Sequence, residues 1–258
     1  MKALVICMDK LEQYIANHRH ISGSAGVEER KYNCLDCKDI GWTMIVQNGH
    51  EAARKCKCYE LSHAKKLMKK SGISEEFQKK KFENFDTLDN PQLSNAKRKA
   101  VAYVENFTET ENKMRNSIMF SGQVGSGKTH LGTAICGELM RMGIAVVYMA
   151  YRETVTRLKQ HITDETKYDR ELKQYMRARV LYVDDLLKGK PTEADVNIMY
   201  GIVNYRYMNC LPVIVSTEKS LDEILMFDEA VGSRLIEMCR KNIISLQGKD
   251  LNYRMGRR

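Results

Sequence analysis

The feature that most constrains this chain is a run of eight residues that contains three glycines. The run lies between an apolar segment, Ser117–Phe120, and a segment with helical periodicity, Lys128–Met142. Glycines let the backbone bend so that successive N–H groups face one point, and the N-terminal N–H groups of the following helix face the same point. The closing lysine and threonine supply an ammonium for phosphate oxygens and a hydroxyl for Mg²⁺. The pattern predicts a nucleoside-triphosphate loop formed by Gly122, Gln123, Val124, Gly125, Ser126, Gly127, Lys128 and Thr129, with His130 adjoining it.

The residues after position 116 alternate short apolar stretches with helical patterns. This alternation is typical of an α/β domain with a mainly parallel sheet. A second helix is predicted over Thr192–Asn209, where apolar residues recur every three or four positions and form one face. Five strands are predicted at Ile118–Ser121, Ala145–Ala150, Val180–Asp184, Pro212–Thr217 and Ile243–Leu246.

Composition divides the chain into three parts. Residues 1–60 hold a cluster of cysteines, residues 61–115 are polar and rich in lysine, and residues 116–258 carry the α/β pattern. At about 100–200 residues per domain, this length accommodates one full domain and a smaller one. We therefore expect a small N-terminal domain over 1–60, a basic helical linker over 61–115 and a nucleotide-binding domain over 116–258.

The third predicted strand carries the acids that a nucleotide loop needs. It ends in Asp184-Asp185, at the carboxyl edge where a parallel sheet brings strand ends together. The first carboxylate is then placed to hold Mg²⁺ with Thr129, and the second to polarise the attacking water as a general base. An incidental Asp-Asp pair in a turn is the alternative, and the loop upstream disfavours it. The combination predicts hydrolysis of a nucleoside triphosphate.

Four of the eight cysteines lie in two close pairs, Cys34-Leu-Asp-Cys37 and Cys56-Lys-Cys58. Four thiolates so spaced can surround one tetrahedral Zn²⁺, which stabilises a small segment that has little core of its own. A disulfide is disfavoured in a reducing cytoplasm. His50 or His63 could replace one sulfur, although each is better explained as a surface histidine. We predict a structural zinc site formed by Cys34, Cys37, Cys56 and Cys58.

Positive charge is concentrated in one part of the chain. The formal net charge is +9, and 13 Lys/Arg against 6 Asp/Glu lie between Arg54 and Ala100. Such a cluster can bind nucleic-acid phosphates, or it can form a solvated helix face, and both interpretations stay open. No apolar run approaches the roughly 20 residues that span a bilayer, and the first twenty residues lack a signal-peptide cleavage site. We expect a cytoplasmic protein without membrane attachment.

With these motifs placed, the chain resembles the AAA+ ATPases, in particular the bacterial DnaC/DnaI-type replicative helicase loaders. It is also similar to the related IstB transposition ATPases. The resemblance rests on Gly122–Thr129, Asp184-Asp185-Leu186 and Ile202–Pro212, and it covers roughly residues 60–258. In the DnaI-like branch it extends through the cysteine cluster. It implies a three-layer α/β/α P-loop domain with a mainly parallel five-stranded sheet, together with a small N-terminal zinc-binding domain.

The resemblance also implies roles for further residues. The sensor I strand ends in Thr217-Glu218, where Glu218 replaces the usual asparagine. Because an ionised carboxylate cannot donate to a γ-phosphate, Thr217 is the candidate for that contact. Arg234 matches the arginine finger, which acts on ATP held by a neighbouring subunit. Arg254 matches the sensor II arginine, which contacts ATP in its own subunit.

The function that the resemblance implies is ATP-dependent loading of a replicative DNA helicase onto single-stranded DNA. The zinc-bearing domain would grip the helicase, and the AAA+ domain would self-associate and bind ATP and DNA. A transposition helper ATPase is a near alternative. A nucleotide kinase belongs to a different class and would need an arginine-rich lid, for which residues 151–179 show no compact pattern. The intact nucleotide motifs disfavour a nucleic-acid-binding zinc protein with a degenerate ATPase.

Overall fold

The computed structural model describes residues 32–47, 50–59, 61–62, 66, 79–248 and 251–253. The chain divides into two compact units, Met1–Asp39 and Ile40–Arg258. In the described part of the first unit, the Asp39 carboxylate accepts hydrogen bonds from the backbone N–H groups of Asn33 and Cys34, at 3.1 and 2.9 Å. The boundaries expected near residues 60 and 115 stay predictions.

The second unit begins with an antiparallel hairpin and continues into a five-stranded parallel sheet. The hairpin strands are β1 (Trp42–Gln47) and β2 (His50–Lys55). The sheet has the order β4-β5-β6-β3-β7. Its strands are β3 (Ile118–Gly122), β4 (Val146–Ala150), β5 (Val180–Leu186), β6 (Val213–Thr217) and β7 (Ile243–Leu246). All five lie where the sequence predicts them.

Helices cover both faces of this sheet. They are α1 (Pro91–Glu105), α2 (Phe107–Thr110), α3 (Lys128–Arg141), α4 (Tyr151–Gln160), α5 (Glu165–Arg177), α6 (Glu193–Met208), α7 (Leu221–Phe227) and α8 (Glu229–Cys239). The helices predicted at 128–142 and 192–209 correspond to α3 and α6. Among the described residues, no helix combines the length and the apolar character that crossing a bilayer requires.

The side chains of the strands face opposite sides of the sheet in turn, which gives two separate cores and therefore three layers. In β3, Ile118 and Phe120 join a core with α1 and α3, while Met119 faces the other side and joins a core with α4, α6 and α8. Successive side chains of a strand point to opposite faces, so a strand that is apolar throughout is buried on both. The expected α/β/α architecture is confirmed.

A buried arginine fixes the outer helices to the sheet. Arg206 in α6 is fully buried, and its guanidinium donates to the carbonyls of Tyr175, Ala178 and Pro212 at 2.9, 2.8 and 2.6 Å. Burial lowers the pKa of this guanidinium to about 9. The contacts join the end of α5 to the turn that leads into β6.

Candidate functional site

The glycine-rich run forms the connection from β3 to α3. Gly127 caps α3 with φ +85°, and Gly122 has φ +138°. A Cβ atom on Gly122 would lie 2.1 Å from the backbone oxygen of Leu246, which closes that position to any side chain. These backbone conformations are ones that only glycine adopts without strain. The loop therefore has the bend that directs backbone N–H groups and the N-terminus of α3 to one anion.

Lys128 is the first residue of α3, and its ammonium lies within the loop. It is 5% exposed, and its Nζ donates to the backbone oxygens of Gly122 and Gln123 at 2.8 and 2.6 Å. Burial lowers the pKa of Lys128, an effect that the negative charges of Glu218 and Asp185 oppose. The ammonium is thus held at the place where the loop would receive phosphate oxygens.

The structure brings together the two residues expected to hold Mg²⁺. The Thr129 hydroxyl donates to Oδ1 of Asp184 at 3.0 Å, and Asp184 is 7% exposed at the carboxyl end of β5. A hydroxyl and a carboxylate are oxygen donors of the kind that Mg²⁺ prefers. The pair therefore fits a magnesium ion at the mouth of the loop.

Asp185 lies at an irregularity in the sheet. The register between β5 and β6 shifts between Val183 and Leu186, and Asp185 has φ +55°, which is uncommon for a residue with a side chain. Its backbone N–H donates to the Ser216 hydroxyl at 3.0 Å, and its carboxylate accepts from Lys188 Nζ at 2.5 Å. The carboxylate is partly exposed beside the buried Asp184, and its role as general base stays a prediction.

Thr217, the sensor I candidate, makes two hydrogen bonds within the protein. Its hydroxyl is fully buried, donates to the Leu186 carbonyl at 2.8 Å and accepts from the Lys219 N–H at 3.0 Å. The contact with Leu186 joins β6 to β5, and the contact with Lys219 is local to the residues after β6. The contact of Thr217 with a γ-phosphate stays a prediction. The preceding residue, Ser216, donates to Asp184 Oδ1.

Of the two arginines that the family resemblance singles out, Arg234 lies among the described residues and Arg254 does not. Arg234 in α8 donates to the Ala230 carbonyl at 2.8 Å, and its guanidinium lies 5.6 Å from the ring centroids of both Tyr200 and Tyr207 in α6. The structure therefore places it on the α6–α8 side of the sheet, opposite α3. Arg254 lies outside the described residues, although the N–H of neighbouring Tyr253 donates to the loop carbonyl of Gly125 at 3.0 Å.

Two aromatic residues outside the sequence motifs adjoin the loop. The rings of Phe85 and Tyr253 are 6.0 Å apart, and a Cβ atom on Gly127 would lie 2.6 Å from Phe85. His130 faces the same segment, with Nε2 3.0 Å from Asn84 Oδ1 and its ring edge-on to Phe85. Burial lowers the pKa of His130. These rings therefore pack against the phosphate loop and the start of α3.

The four cysteines of the predicted zinc site lie together. The Sγ atoms of Cys34, Cys37, Cys56 and Cys58 are all within 4.8 Å of one another. Tetrahedral Zn²⁺ with bonds of about 2.3 Å places its sulfur ligands roughly 3.8 Å apart, so the cluster fits this ion. Four protein ligands leave no open position, which indicates a structural role. His63 lies outside the described residues, as does the side chain of His50.

Comparison with known proteins decides the family. Residues 58–254 match the family model described as IstB-like ATP binding protein. The chain belongs to this family. The chain is similar to the phage-like element PBSX protein XkdC of Bacillus subtilis (strain 168). The two are 36% identical over 234 residues, which cover 87% of each chain. The replicative helicase loader DnaC of Escherichia coli (strain K12) is 27% identical over 172 residues, covering 66% of this chain and 67% of DnaC.

Solved structures support the AAA+ fold of this IstB-like chain. It matches a crystal structure of the DnaC helicase loader with a TM-score of 0.54 and 25% identity, over 66% of this chain and 98% of the other. A crystal structure of DnaI matches with a TM-score of 0.56 and 19% identity, over 69% and 93%. The chain spans about half (49%) of a third match, a DNA replication initiation factor. The expected family and fold are confirmed.

Proposed function

We propose that this protein hydrolyses ATP at the phosphate loop and uses it to load a replicative DNA helicase onto single-stranded DNA. The observation that carries the ATPase is the contact of Thr129 with Asp184 beside the buried ammonium of Lys128. The loader function is supported by the relatives named as helicase loaders and by the DnaC and DnaI folds. A cytoplasmic location is part of this proposal.

Each residue of the site has a defined part in this reaction. The N–H groups of residues 122–127 and the Lys128 ammonium would bind the phosphates, and Thr129 with Asp184 would hold Mg²⁺. The ion supplies positive charge that neutralises the phosphate oxygens. Asp185 would polarise the attacking water once its carboxylate exchanges the Lys188 ammonium for that water. Phe85 and Tyr253 would contact the base.

Arg234 is expected to complete the site of a neighbouring subunit, because α8 covers the opposite face of the sheet from α3. We predict that Arg234→Ala and Asp185→Asn chains are each inactive alone, since one lacks the finger and the other the general base. Mixing them should restore part of the ATPase activity at interfaces that join the intact Asp185 with the intact Arg234. The rate of phosphate release measures this. A mixture that co-assembles, as crosslinking would report, and yet shows no recovery would contradict action between subunits.

The proposed DNA contact is supported by a basic cleft in the second unit. The cleft has a volume of about 1740 Å³ and is lined by eleven Lys/Arg and four Asp/Glu, two of which are Asp184 and Asp185. Its cations include Arg54 and Lys55 of the hairpin and four residues of α5, where basic residues recur every three or four positions. Clustered cations of this kind bind a nucleic-acid backbone. The cleft therefore joins the proposed DNA path to the acids of the ATP site.

Reversing two charges of α5 tests this path. We predict that Arg170→Glu with Arg177→Glu weakens binding of a poly-dT oligonucleotide by more than about tenfold. It should also reduce the slope of log affinity against log salt by roughly 1.4, since each lost phosphate contact on a single strand removes about 0.7. Fluorescence anisotropy at several salt concentrations, with and without ATP, measures both quantities.

A control separates a path from a general charge effect. Lys113→Glu with Lys241→Glu changes the net charge equally, but these residues line a different cavity near the start of β3. This variant should retain most of the affinity and the slope. Equal losses in both double variants would reduce the DNA interaction to net charge and contradict the proposed path.

The helicase partner is tested by capture from the lysate of a bacterial host. The wild-type protein, Lys128→Ala and Cys56→Ser are each used as bait, with the bound proteins identified by mass spectrometry. The proposal expects a replicative helicase with the wild type and its loss with Cys56→Ser, because the zinc-bearing segment is the proposed contact. Recovery of a transposase instead would favour the second candidate, a transposition helper ATPase, which the IstB-like family match supports.

A further inference from the structure

We propose that Tyr182 and Tyr148 are positioning residues of the Mg²⁺ site, and that Gly132 is the residue that makes room for Tyr182. The tyrosine hydroxyls hold the Asp184 carboxylate in the orientation in which it meets Thr129. This inference rests on the proposed function, because it assumes that Asp184 serves a magnesium ion. It goes further by assigning a role to three residues outside the nucleotide motifs.

The first observation is the number of hydroxyls on one carboxylate. Oδ1 of Asp184 accepts from Tyr182 at 2.8 Å and from Thr129 at 3.0 Å, as well as from Ser216. Oδ2 accepts from Tyr148 at 2.9 Å. Both oxygens are therefore fixed by donors from β4, β5, β6 and α3. A carboxylate held in this way cannot rotate away from Thr129 without breaking a buried hydrogen bond.

The second observation is that both tyrosines are constrained to donate. Tyr182 is fully buried and Tyr148 is 6% exposed, and their rings meet edge to face at 5.4 Å. A phenol is protonated near neutral pH, so both hydroxyls can donate to the carboxylate.

The third observation links this network to the phosphate loop. Gly132 lies one turn after Thr129 in α3, and a Cβ atom there would be 2.6 Å from Cζ and from the hydroxyl oxygen of Tyr182. No Cβ fits at this distance, so the approach of α3 to β5 depends on glycine. One helix thus supplies the magnesium hydroxyl and the space for the phenol that orients the carboxylate opposite it.

Partners that orient a metal ligand contribute to metal affinity without touching the metal, and their loss reduces that affinity by roughly 10–100-fold. Tyr182→Phe removes one hydroxyl and keeps the ring. Gly132→Ala keeps the hydroxyl and displaces the ring. Both changes break the same hydrogen bond, so the double variant should resemble either single variant rather than show the product of their effects.

The experiment measures the dissociation constant of a fluorescent ADP in Mg²⁺ and in EDTA. The ratio is the constant in EDTA divided by the constant in Mg²⁺, so it reports how much Mg²⁺ strengthens binding. A change that only disturbs the fold would alter both constants, whereas a positioning residue alters the ratio. We expect the ratio to fall about tenfold for Tyr182→Phe, for Gly132→Ala and for their combination, in line with the lower end of such effects. Tyr148→Phe should lower it as well, and it serves if a change at the fully buried Tyr182 impairs folding.

The matched control is Tyr151→Phe. Tyr151 is also buried and is the first residue of α4, directly after β4, but its hydroxyl has no hydrogen-bond partner among the described residues. The ratio for Tyr151→Phe should therefore equal that of the wild type. Unchanged ratios in Tyr182→Phe and Tyr148→Phe, with a lowered ratio in Asp184→Asn, would overturn the positioning role alone. An unchanged ratio in Asp184→Asn would overturn the magnesium assignment on which the proposed function depends.

Discussion

Replacement of Lys128 by alanine is expected to lower the affinity for ATP by about 100-fold or more. The ammonium is buried in the loop and donates to two backbone oxygens at 2.8 and 2.6 Å, where phosphate oxygens would take their place. A hydrogen bond to a charged group contributes about 1.5–3 kcal/mol, so two such contacts account for a loss of this size. Titration of the variant with a fluorescent ATP analogue measures it.

The control for Lys128→Ala lies at the other end of the same helix. Arg141 is the last residue of α3, is exposed and pairs with Glu138. Arg141→Ala should bind ATP as the wild type does, because Arg141 lies at the opposite end of α3 from the phosphate loop. The fold should also be retained, because an exposed ion pair contributes little to stability. Thermal unfolding of both variants reports whether the fold is retained. Wild-type affinity in a folded Lys128→Ala protein would remove the nucleotide site from this loop.

Loss of zinc is expected to unfold the segment around the hairpin. We predict one Zn²⁺ per chain, held by the four clustered thiolates. Where ligands come together only in the folded state, the free energy of metal binding is also free energy of folding. Cys56→Ser should therefore abolish zinc binding and make residues 32–59 sensitive to proteases, while the sheet remains intact.

Elemental analysis and limited proteolysis test this zinc site. Cys210→Ser is the control, since Cys210 is a free and partly buried cysteine outside the cluster, and it should keep its zinc. Wild-type protein prepared without a chelator that contains almost no zinc would contradict the prediction. So would a Cys56→Ser protein that retains a full equivalent.

The nucleotide site was predictable because its parts obey rules of local sequence and sheet topology. The glycines and Lys128-Thr129 define the loop, and parallel strands bring Asp184 to the same edge. The contact of Ser216 with Asp184 was not predicted, because it depends on which face of β6 each side chain takes.

Other parts of the site had no readable pattern. Phe85 and Tyr253 lie far apart in the sequence and meet only when α3 and the end of the chain are in place. The conformation of Asp185 depends on the register shift between β5 and β6, which no propensity indicates.

The basic face of α5 was readable, since Lys167, Arg170, Lys173 and Arg177 recur every three or four residues. The charge cluster between Arg54 and Ala100 does not include this helix, so the basic face of α5 was not predicted.

The most direct test of the central claim, ATP hydrolysis at this site, is release of inorganic phosphate by the purified protein. The assay compares ATP with and without Mg²⁺ and single-stranded DNA, for the wild type, Lys128→Ala and Asp185→Asn. We predict release by the wild type that requires Mg²⁺ and changes with DNA, and almost none by either variant. Equal release by the wild type and both variants, or transfer of the phosphate to a nucleotide acceptor, would contradict the account.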